Sequence, residues 1–443
     1  MMITKNSVFP SSNTRIQFAF TLIKQISFLV IPFLFYQCTS KKNIPKRNAI
    51  TAKETKTNIL NPELIIYNTS LDSSYLYYSI SSGNALYTRL DKLAPYKSAI
   101  KISYLLYPYG DSKTILDSST FFIKDEVRTK YLKKITGKVK LKTLKNRDYL
   151  LKVVTKDLNR GASIEKKIYI NKTDLDNHQY FLLLKDSSFT PIYETYITDS
   201  NDLIVSSKIN NNKSLFVKSY NRDFKISAPP FASVNTLPFD YKANSIAEIK
   251  LNEQGISLIS SPKNGFIHIQ SDTTTQKGLT LFKFDENFPK IIKPKGLIDP
   301  LRYICSTAEY NELLNSETPK KSVDEFWLTK ASSKARAREL IKQYYNRVES
   351  ANKHYTSHKE GWKTDRGMIS IVFGTPTLIR RTPNSETWIY GEENNLISLN
   401  FIFRKRDNPF SNNDYKLERS STYKTNWYRA VDTWRSGRVF YGY

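Results

Sequence analysis

From residue 62 to 173 apolar and polar positions alternate with a period of two. Ile100, Ile102, Tyr104 and Leu106 are separated by Lys101, Ser103 and Leu105, and Val139 and Leu141 by Lys138, Lys140 and Lys142. Tyr149, Leu151 and Val153 repeat the pattern, as do Ile168 and Ile170. Alternation of this kind puts one face of a strand in a core and the other in water. The segments Tyr75–Tyr78 and Phe121–Ile123 add aromatic strand formers, and Asp157-Leu158-Asn159-Arg160-Gly161 has the composition of a hairpin loop. About seven short strands in about 110 residues predict an immunoglobulin-like β-sandwich over 62–173. The Cys…Trp…Cys pattern of true immunoglobulins is missing, so the expectation concerns architecture alone.

A second β-rich region is expected over 178–298. Leu203–Ser207 and Leu215–Lys218 flank Asn210-Asn211-Asn212-Lys213, which reads as a hairpin turn. Further strands are expected at 246–251, 256–260, 265–270 and 279–284. The pattern leaves a second sandwich and a barrel equally open.

The period then changes. Asp299-Pro300 reads as a helix start running to about Leu314, and Ser322-Val323-Asp324-Glu325 as a capping box. From Lys334 to about Tyr355, Ala337, Leu340/Ile341, Tyr344/Tyr345, Val348 and Ala351 recur at helical spacing. Met368–Phe373 reads as a strand closed by Gly374-Thr375-Pro376, and strands are expected at 386–390 and 395–403. Near the end, Trp427, Val431 and Trp434 share a helical face. That face either docks on the chain's own domain or, with Arg429 and Arg435 beside it, meets another protein. The predicted class is therefore mainly β, with an α+β C-terminal part made of a long helix and a small antiparallel sheet.

Between the long helix and the apolar run stands Gly361-Trp362-Lys363-Thr364-Asp365-Arg366-Gly367. With the preceding helix, Phe373-Gly374-Thr375-Pro376 and Trp388-Ile389-Tyr390, it resembles the GWxTD domain of bacterial envelope proteins common in Bacteroidetes-type lineages. The resemblance covers 319–443, with 299–318 as a helical connector, and implies no established biochemical activity. Read physically, Gly361 would let the chain leave the helix with positive φ, and Trp362 would cover the helix–sheet junction. Thr364 and Asp365 would accept backbone N–H bonds, Arg366 would pair with Asp365 or Glu360, and Gly367 would permit entry into a strand. The rival reading makes Trp362 an exposed recognition corner flanked by Asp365 and Arg366.

The start of the chain breaks the pattern. Lys5, Arg15 and Lys24 are the only charges among residues 1–37, and Ile26–Tyr36 is an apolar stretch too short to span a bilayer. This is the layout of a secretory signal. Gln37-Cys38-Thr39-Ser40 follows, and the arrangement resembles a bacterial lipoprotein signal, although that family prefers a small residue where Gln37 stands. The resemblance implies lipidation of Cys38, which would become the new N-terminus. Residues 38–61, rich in Lys, Asn, Thr and Ser, are expected to be a flexible tether. Surface-exported lipoproteins of the Bacteroidetes type usually carry acids just after the cysteine; Thr39–Asn43 contains none, so the resemblance implies the periplasmic face of the outer membrane.

Composition narrows the chemistry. The 443 residues carry a formal net charge of +27, spread along the chain. An exported protein of this charge is not expected to meet nucleic acid; a lysine-rich solvated surface or an anionic envelope polymer remains. Cys305, the only other cysteine, lies in the apolar run Leu301–Cys305 and reads as a buried, inert thiol. His354 and His358, with Glu360, have metal-ligand spacing but lie at a fraying helix end, so no metal and no cofactor are expected. No Gly-x-Ser-x-Gly and no glycine-rich phosphate loop occurs, and no catalytic residue is predicted. The expected function is a non-enzymatic, lipid-anchored envelope adaptor binding an unidentified protein complex. A binding module for peptidoglycan or lipopolysaccharide is the alternative, and an uncharacterised hydrolase the remote one.

Overall fold

The computed structural model describes residues 49–51 and 60–442, apart from 130–131, 186–187 and 234–239. The proposed leader and Cys38 lie outside the described residues.

The alternating region folds as read. Seven strands form two sheets: β2 (Glu63–Asn68), β3 (Ser73–Ser81) and β6 (Lys134–Lys142) in one, in the order β2-β3-β6. The other holds β4 (Tyr96–Pro108), β5 (Asp117–Val127), β7 (Tyr149–Asp157) and β8 (Ser163–Ile170), in the order β5-β4-β7-β8. Ile66, Leu76, Ile80 and Leu141 from the first sheet meet Ile100, Ile102, Leu106, Leu151 and Val153 from the second in one core. Each is the inward member of an alternating pair. In a constant-type immunoglobulin domain the fourth strand joins the sheet of the first, second and fifth. Here β5 pairs with β4 along eleven residues, so the architecture is shared and the strand order is not.

The second region is also a sandwich, which resolves the open choice. Its three-stranded sheet has the order β14-β11-β9 and its five-stranded sheet β10-β16-β15-β12-β13. The strands are β9 (Leu182–Lys185), β10 (Tyr196–Ile197), β11 (Leu203–Ser206), β12 (Ser214–Tyr220), β13 (Ser245–Lys250), β14 (Ile256–Ile259), β15 (Phe266–Gln270) and β16 (Leu279–Lys283). Leu203 and Val205 face Leu215, Val217, Ile267, Ile269 and Leu281 across its core. The expected 203–218 hairpin does not form. β11 pairs with β9 and β14, and β12 with β13 and β15. The asparagine turn reverses the chain but carries it from one sheet to the other. Turn chemistry fixes local backbone direction; which edge a strand joins is decided by the core it can bury.

The C-terminal part places helices around a small sheet. α1 (Pro294–Ile298) runs into a 3-10 turn at Asp299–Tyr303, followed by α2 (Thr307–Leu314), α3 (Pro319–Lys330) and α4 (Lys334–Tyr355). The single helix expected from Asp299 is therefore two pieces. The capping box belongs to Ser306 and Glu309 at the start of α2, while Ser322 lies inside α3. α5 (Asp365–Phe373) occupies the run expected to be a strand. All nine of its residues are buried, so the run has no exposed face to display a period. Thr364 caps its start and Gly374, at φ 84°, ends it. β17 (Leu378–Thr382), β18 (Ser385–Tyr390), β19 (Leu399–Lys405) and β20 (Tyr415–Leu417) then form an antiparallel sheet. The third strand starts later than expected, because Leu396 and Ile397 lie exposed in the preceding loop. β1 (Ala49–Thr51), inside the segment expected to be a tether, pairs antiparallel with β17. The last element is α6 (Lys424–Arg435). No helix among the described residues is long and apolar enough to cross a membrane.

Candidate functional site

The GWxTD corner begins where α4 ends. Asn352, in the last turn of α4, accepts the Trp362 N–H on Oδ1 at 3.0 Å and donates to Pro289 O at 2.8 Å. Thr356 Oγ1 donates to Asn352 O at 2.6 Å and accepts the Gly361 N–H at 2.9 Å. The chain is thereby folded back onto the helix it has just left. A Cβ on Gly361 would lie 1.9 Å from Ala351 O, and one on Gly367 1.9 Å from Gly361 O. Both glycines are required by close backbone approach. Neither has positive φ, so the expected helix-exit role of Gly361 and strand-entry role of Gly367 are corrected.

Trp362 is 4% exposed. Its carbonyl accepts the Tyr303 hydroxyl at 2.7 Å, and the two rings meet edge to face at 6.4 Å. An exposed recognition corner is excluded by this burial. Thr364 Oγ1 accepts the Gly367 N–H at 3.0 Å and donates to Gly361 O at 2.7 Å, so one hydroxyl both caps α5 and closes the preceding turn.

Asp365 and Arg366 do not pair with each other. Asp365 receives both terminal nitrogens of Arg419, at 2.5 and 3.2 Å, and the Leu417 N–H at 2.8 Å. It thus clamps edge strand β20 to the start of α5. Arg366 turns the other way, 4.0 Å from the Tyr415 ring centroid and 5.2 Å from that of Tyr355. Its guanidinium meets Glu386 Oε2 at 3.3 Å and Asn413 O at 2.9 Å. Glu386 also accepts from Arg381 Nε at 3.0 Å and from Trp388 Nε1 at 3.1 Å. Burial pushes the Glu386 carboxyl up, but Arg366, Arg381 and the indole N–H outweigh it and hold the pKa below its usual range. Trp388 itself is buried against Tyr355 and Phe403.

Trp427, Val431 and Trp434 line the inner face of α6, all buried in the chain's own core. Trp434 Nε1 donates to Val372 O at 3.0 Å, which helps satisfy the last turn of α5. The docking alternative is the one observed. Arg435 joins Glu309, which Lys330 also contacts at 2.8 Å; burial raises that carboxyl, and the two cations pull it well below the usual range.

A strap from the second sandwich lies over the corner. Phe224 meets His358 edge to face at 4.8 Å, Ser227 Oγ donates to Lys363 O at 2.9 Å, and Ala228 O accepts from Arg419 at 3.1 Å. In the other direction, Phe410, from the β19–β20 loop, inserts among Tyr220, Phe266 and Phe282. Beside Phe410 opens a cleft of about 970 Å³ with Tyr196, Phe288, Lys277, Asn412 and His178 on its walls.

The histidines at the end of α4 diverge. His354 Nδ1 contacts Ser350 O at 2.9 Å, whereas His358 lies 3.7 Å from Asp414 and 3.0 Å from Asn408. Burial pushes His358 down to about 4, against the pull of Asp414. Among the described residues no group of three His, Cys, Asp or Glu could hold a metal ion. Cys305 is half-buried in the helical core, and burial pushes its thiol up to about 12.

Sequence reasoning found the motif but missed its partners: Asn352, Glu386, Asn413 and Arg419. Their bonds to the motif span 10 residues for Asn352, 20 for Glu386, 47 for Asn413 and 54 for Arg419, beyond the reach of any local spacing rule. Glu386, two residues before Trp388 on a strand, carried the one available signal, since the two side chains share a face.

A search of curated proteins finds no match to the chain. A family model, the GWxTD domain, matches residues 265–436. The match begins upstream of the helices, at Gly265 just before β15, and so includes Phe266 and Phe282, two of the three residues that receive Phe410, but not Tyr220. Residues 265–436 of this chain are a GWxTD domain.

Proposed function

We propose that the protein is a lipid-anchored adaptor of the bacterial envelope, tethered through Cys38 on the periplasmic side of the outer membrane and binding an envelope protein. The observation that carries this reading is where the motif spends its polar groups. Asp365, through Arg419, and Lys363, through its carbonyl, hold the strap from the second sandwich, so the motif fixes one module against another. Rigid modules around an open cleft suit a partner that must be held at a set angle. The basic, apolar start of the chain and Cys38 support the anchor.

A photo-cross-linking residue at Asn412, on the cleft wall, should trap one discrete membrane protein in intact cells, while one at Lys113, which does not line the cleft, should not. Equal or absent adducts from the two sites would sink the adaptor reading. Cys38→Ala should release the protein from membranes and abolish fatty-acid labelling.

A specific surface favours a second reading, an anionic envelope polymer as ligand. Lys138, Lys140 and Lys142 project from the outer face of edge strand β6, and Lys138 Nζ lies 5.7 and 5.9 Å from the Tyr75 and Tyr77 ring centroids. Lysines on an edge also prevent strand-to-strand aggregation. Replacing all three by Gln separates the roles. Salt-sensitive sedimentation with purified peptidoglycan should disappear if they bind polymer, and persist unchanged if they only guard the edge.

A further inference from the structure

One loop of the first sandwich holds apolar side chains in water. Residues 88–97 connect β3 to β4, and their base is closed by reciprocal backbone hydrogen bonds between Thr88 and Lys97, at 3.0 and 2.7 Å. Asp91 Oδ1 accepts the N–H groups of Leu93 and Ala94, at 2.8 and 2.7 Å. Arg89 donates to Lys92 O at 2.9 Å and stacks 4.7 Å from the Tyr96 ring centroid. A loop this tied is shaped by its own bonds, and what it displays is Leu90 at 99% and Leu93 at 98% exposure. Leu132, 77% exposed, emerges at the same pole beside Gly83, because β6 starts where β3 ends.

The charge around these leucines is net positive, three cations against the carboxylate of Asp91. Arg89, Lys92 and Arg160 surround the tip, and none has a carboxylate partner among the described residues. Of the nearby acids, Asp125 is held by Lys133 at 2.6 Å, Glu126 by Lys97 at 3.4 Å, and Asp157 is buried on backbone N–H groups. Asp91 is occupied with shaping the loop. A convex tip with two protruding leucines and cations at its base is poor material for a protein interface, which needs about 800 Å² of complementary surface on each side. It matches a bilayer surface, where acyl chains lie beneath a layer of phosphates.

We propose that the 88–97 loop is a membrane-docking tip: Leu90 and Leu93 enter the acyl region of an anionic phospholipid surface while Arg89, Lys92 and Arg160 bind headgroup phosphates. The tip is independent of the lipid proposed at Cys38. If both operate, the tip sets the orientation of the first sandwich on the surface and the lipid sets residence there.

The test places one fluorophore on the full-length chain at Leu93→Cys in a Cys38→Ala background. The Cys38→Ala chain without Leu93→Cys, in which half-buried Cys305 is the remaining thiol, should take up no label. With vesicles of phosphatidylglycerol mixed into brominated phosphatidylcholine, the label should be quenched. A label at Lys113→Cys, on the opposite pole, should not be. Adding Leu90→Asn should weaken tip binding about tenfold. Arg89→Gln, Lys92→Gln and Arg160→Gln together should abolish the preference over pure brominated phosphatidylcholine. Leu90, Arg89 and Lys92 are exposed, whereas Arg160 is partly buried and donates to Asn84 O, so circular dichroism should stay unchanged and the melting temperature should fall only slightly. An unquenched tip label, or equal quenching at both poles, overturns the proposal. A shift that depends on protein concentration without lipid assigns the tip to a second copy instead, and overturns it too. Fatty-acid labelling at Cys38 is read separately, so failure of the anchor and failure of the tip are told apart.

Discussion

Gly361 shows how little a motif letter reveals without its neighbour in space. Sequence reading assigned it a positive φ; the structure assigns it contact with Ala351 O, where a Cβ would lie at 1.9 Å. Gly361→Ala should therefore destabilise the protein by about 3 kcal/mol through overpacking, measured as a lower denaturation midpoint at unchanged slope. Gly110, a loop glycine where an added methyl would meet nothing within 4 Å, provides a comparison of opposite kind: it has positive φ, so its cost is conformational and smaller. Arg366 carries a second prediction. Its side chain and that of Glu386 are 5% and 7% exposed, so removing one partner strands a charge. Arg366→Ala alone should cost about 3–5 kcal/mol, and a double-mutant cycle with Glu386→Gln should recover about 2 kcal/mol as coupling. Additive losses would show that the stacking of Arg366 on Tyr415 matters and the ion pair does not. Trp362 was legible as a large apolar cover and Thr364 as an acceptor of a backbone N–H, because both roles are local; that the N–H belongs to a helix start was not. The ion pairs of Asp365 and Arg366 were not, since their partners, Arg419 just past β20 and Glu386 on β18, lie 54 and 20 residues away.

Among elements, legibility followed the clarity of the period. α4 was located from Lys334 to about Tyr355, as observed, because a polar face accompanies its apolar one. The β4 and β7 strands were equally plain. α5 was mistaken for a strand because it is buried on every side, and a run with no exposed face carries no phase. The capping Thr364 was the signal that could have decided it. Thr364→Ala should cost about 1 kcal/mol, by loss of the cap on α5, seen as a fall in melting temperature. The β19–β20 loop has a larger role. Phe410, 6% exposed, is the C-terminal part's insertion into the second sandwich. Phe410→Ala should cost about 3–5 kcal/mol and divide one calorimetric transition into two. A single sharp transition at reduced temperature would mean that the strap alone keeps the modules cooperative.

At the scale of the molecule, two buried imidazoles couple stability to acidity. Burial pushes His268 and His358 down to about 4 in the folded chain, against an ordinary value near 6.5. The unfolded chain therefore binds more protons than the folded one between these values. Stability is complete above about pH 6.5 and falls as the pH drops toward 4. Between pH 7.5 and 5.0 each histidine should remove up to about 2 kcal/mol. Denaturant titrations at the two values measure the sum, and His268→Gln should flatten the difference by about half. A pH-independent midpoint would show that water reaches both rings. Three regions were legible from the sequence alone, a sandwich, a β-rich middle and a helical end, because periodicity is a local property. Their joints were not, because Tyr67 meeting Ser206, or Phe410 meeting Phe266, requires knowing which surfaces face each other.

The insertion of Phe410 into the second sandwich has a consequence for how this chain can be divided. A cut at residue 299, where Asp299-Pro300 reads as a helix start, looks natural on paper. It would leave Phe410 without Tyr220, Phe266 and Phe282, and Arg419 without the Ala228 carbonyl. The helical end and the five-stranded sheet are thus a single inheritance unit: neither can be exchanged, duplicated or lost without the other. A hybrid grafting residues 299–443 onto a different β-domain should aggregate, whereas one grafting 178–443 keeps both sides of the joint.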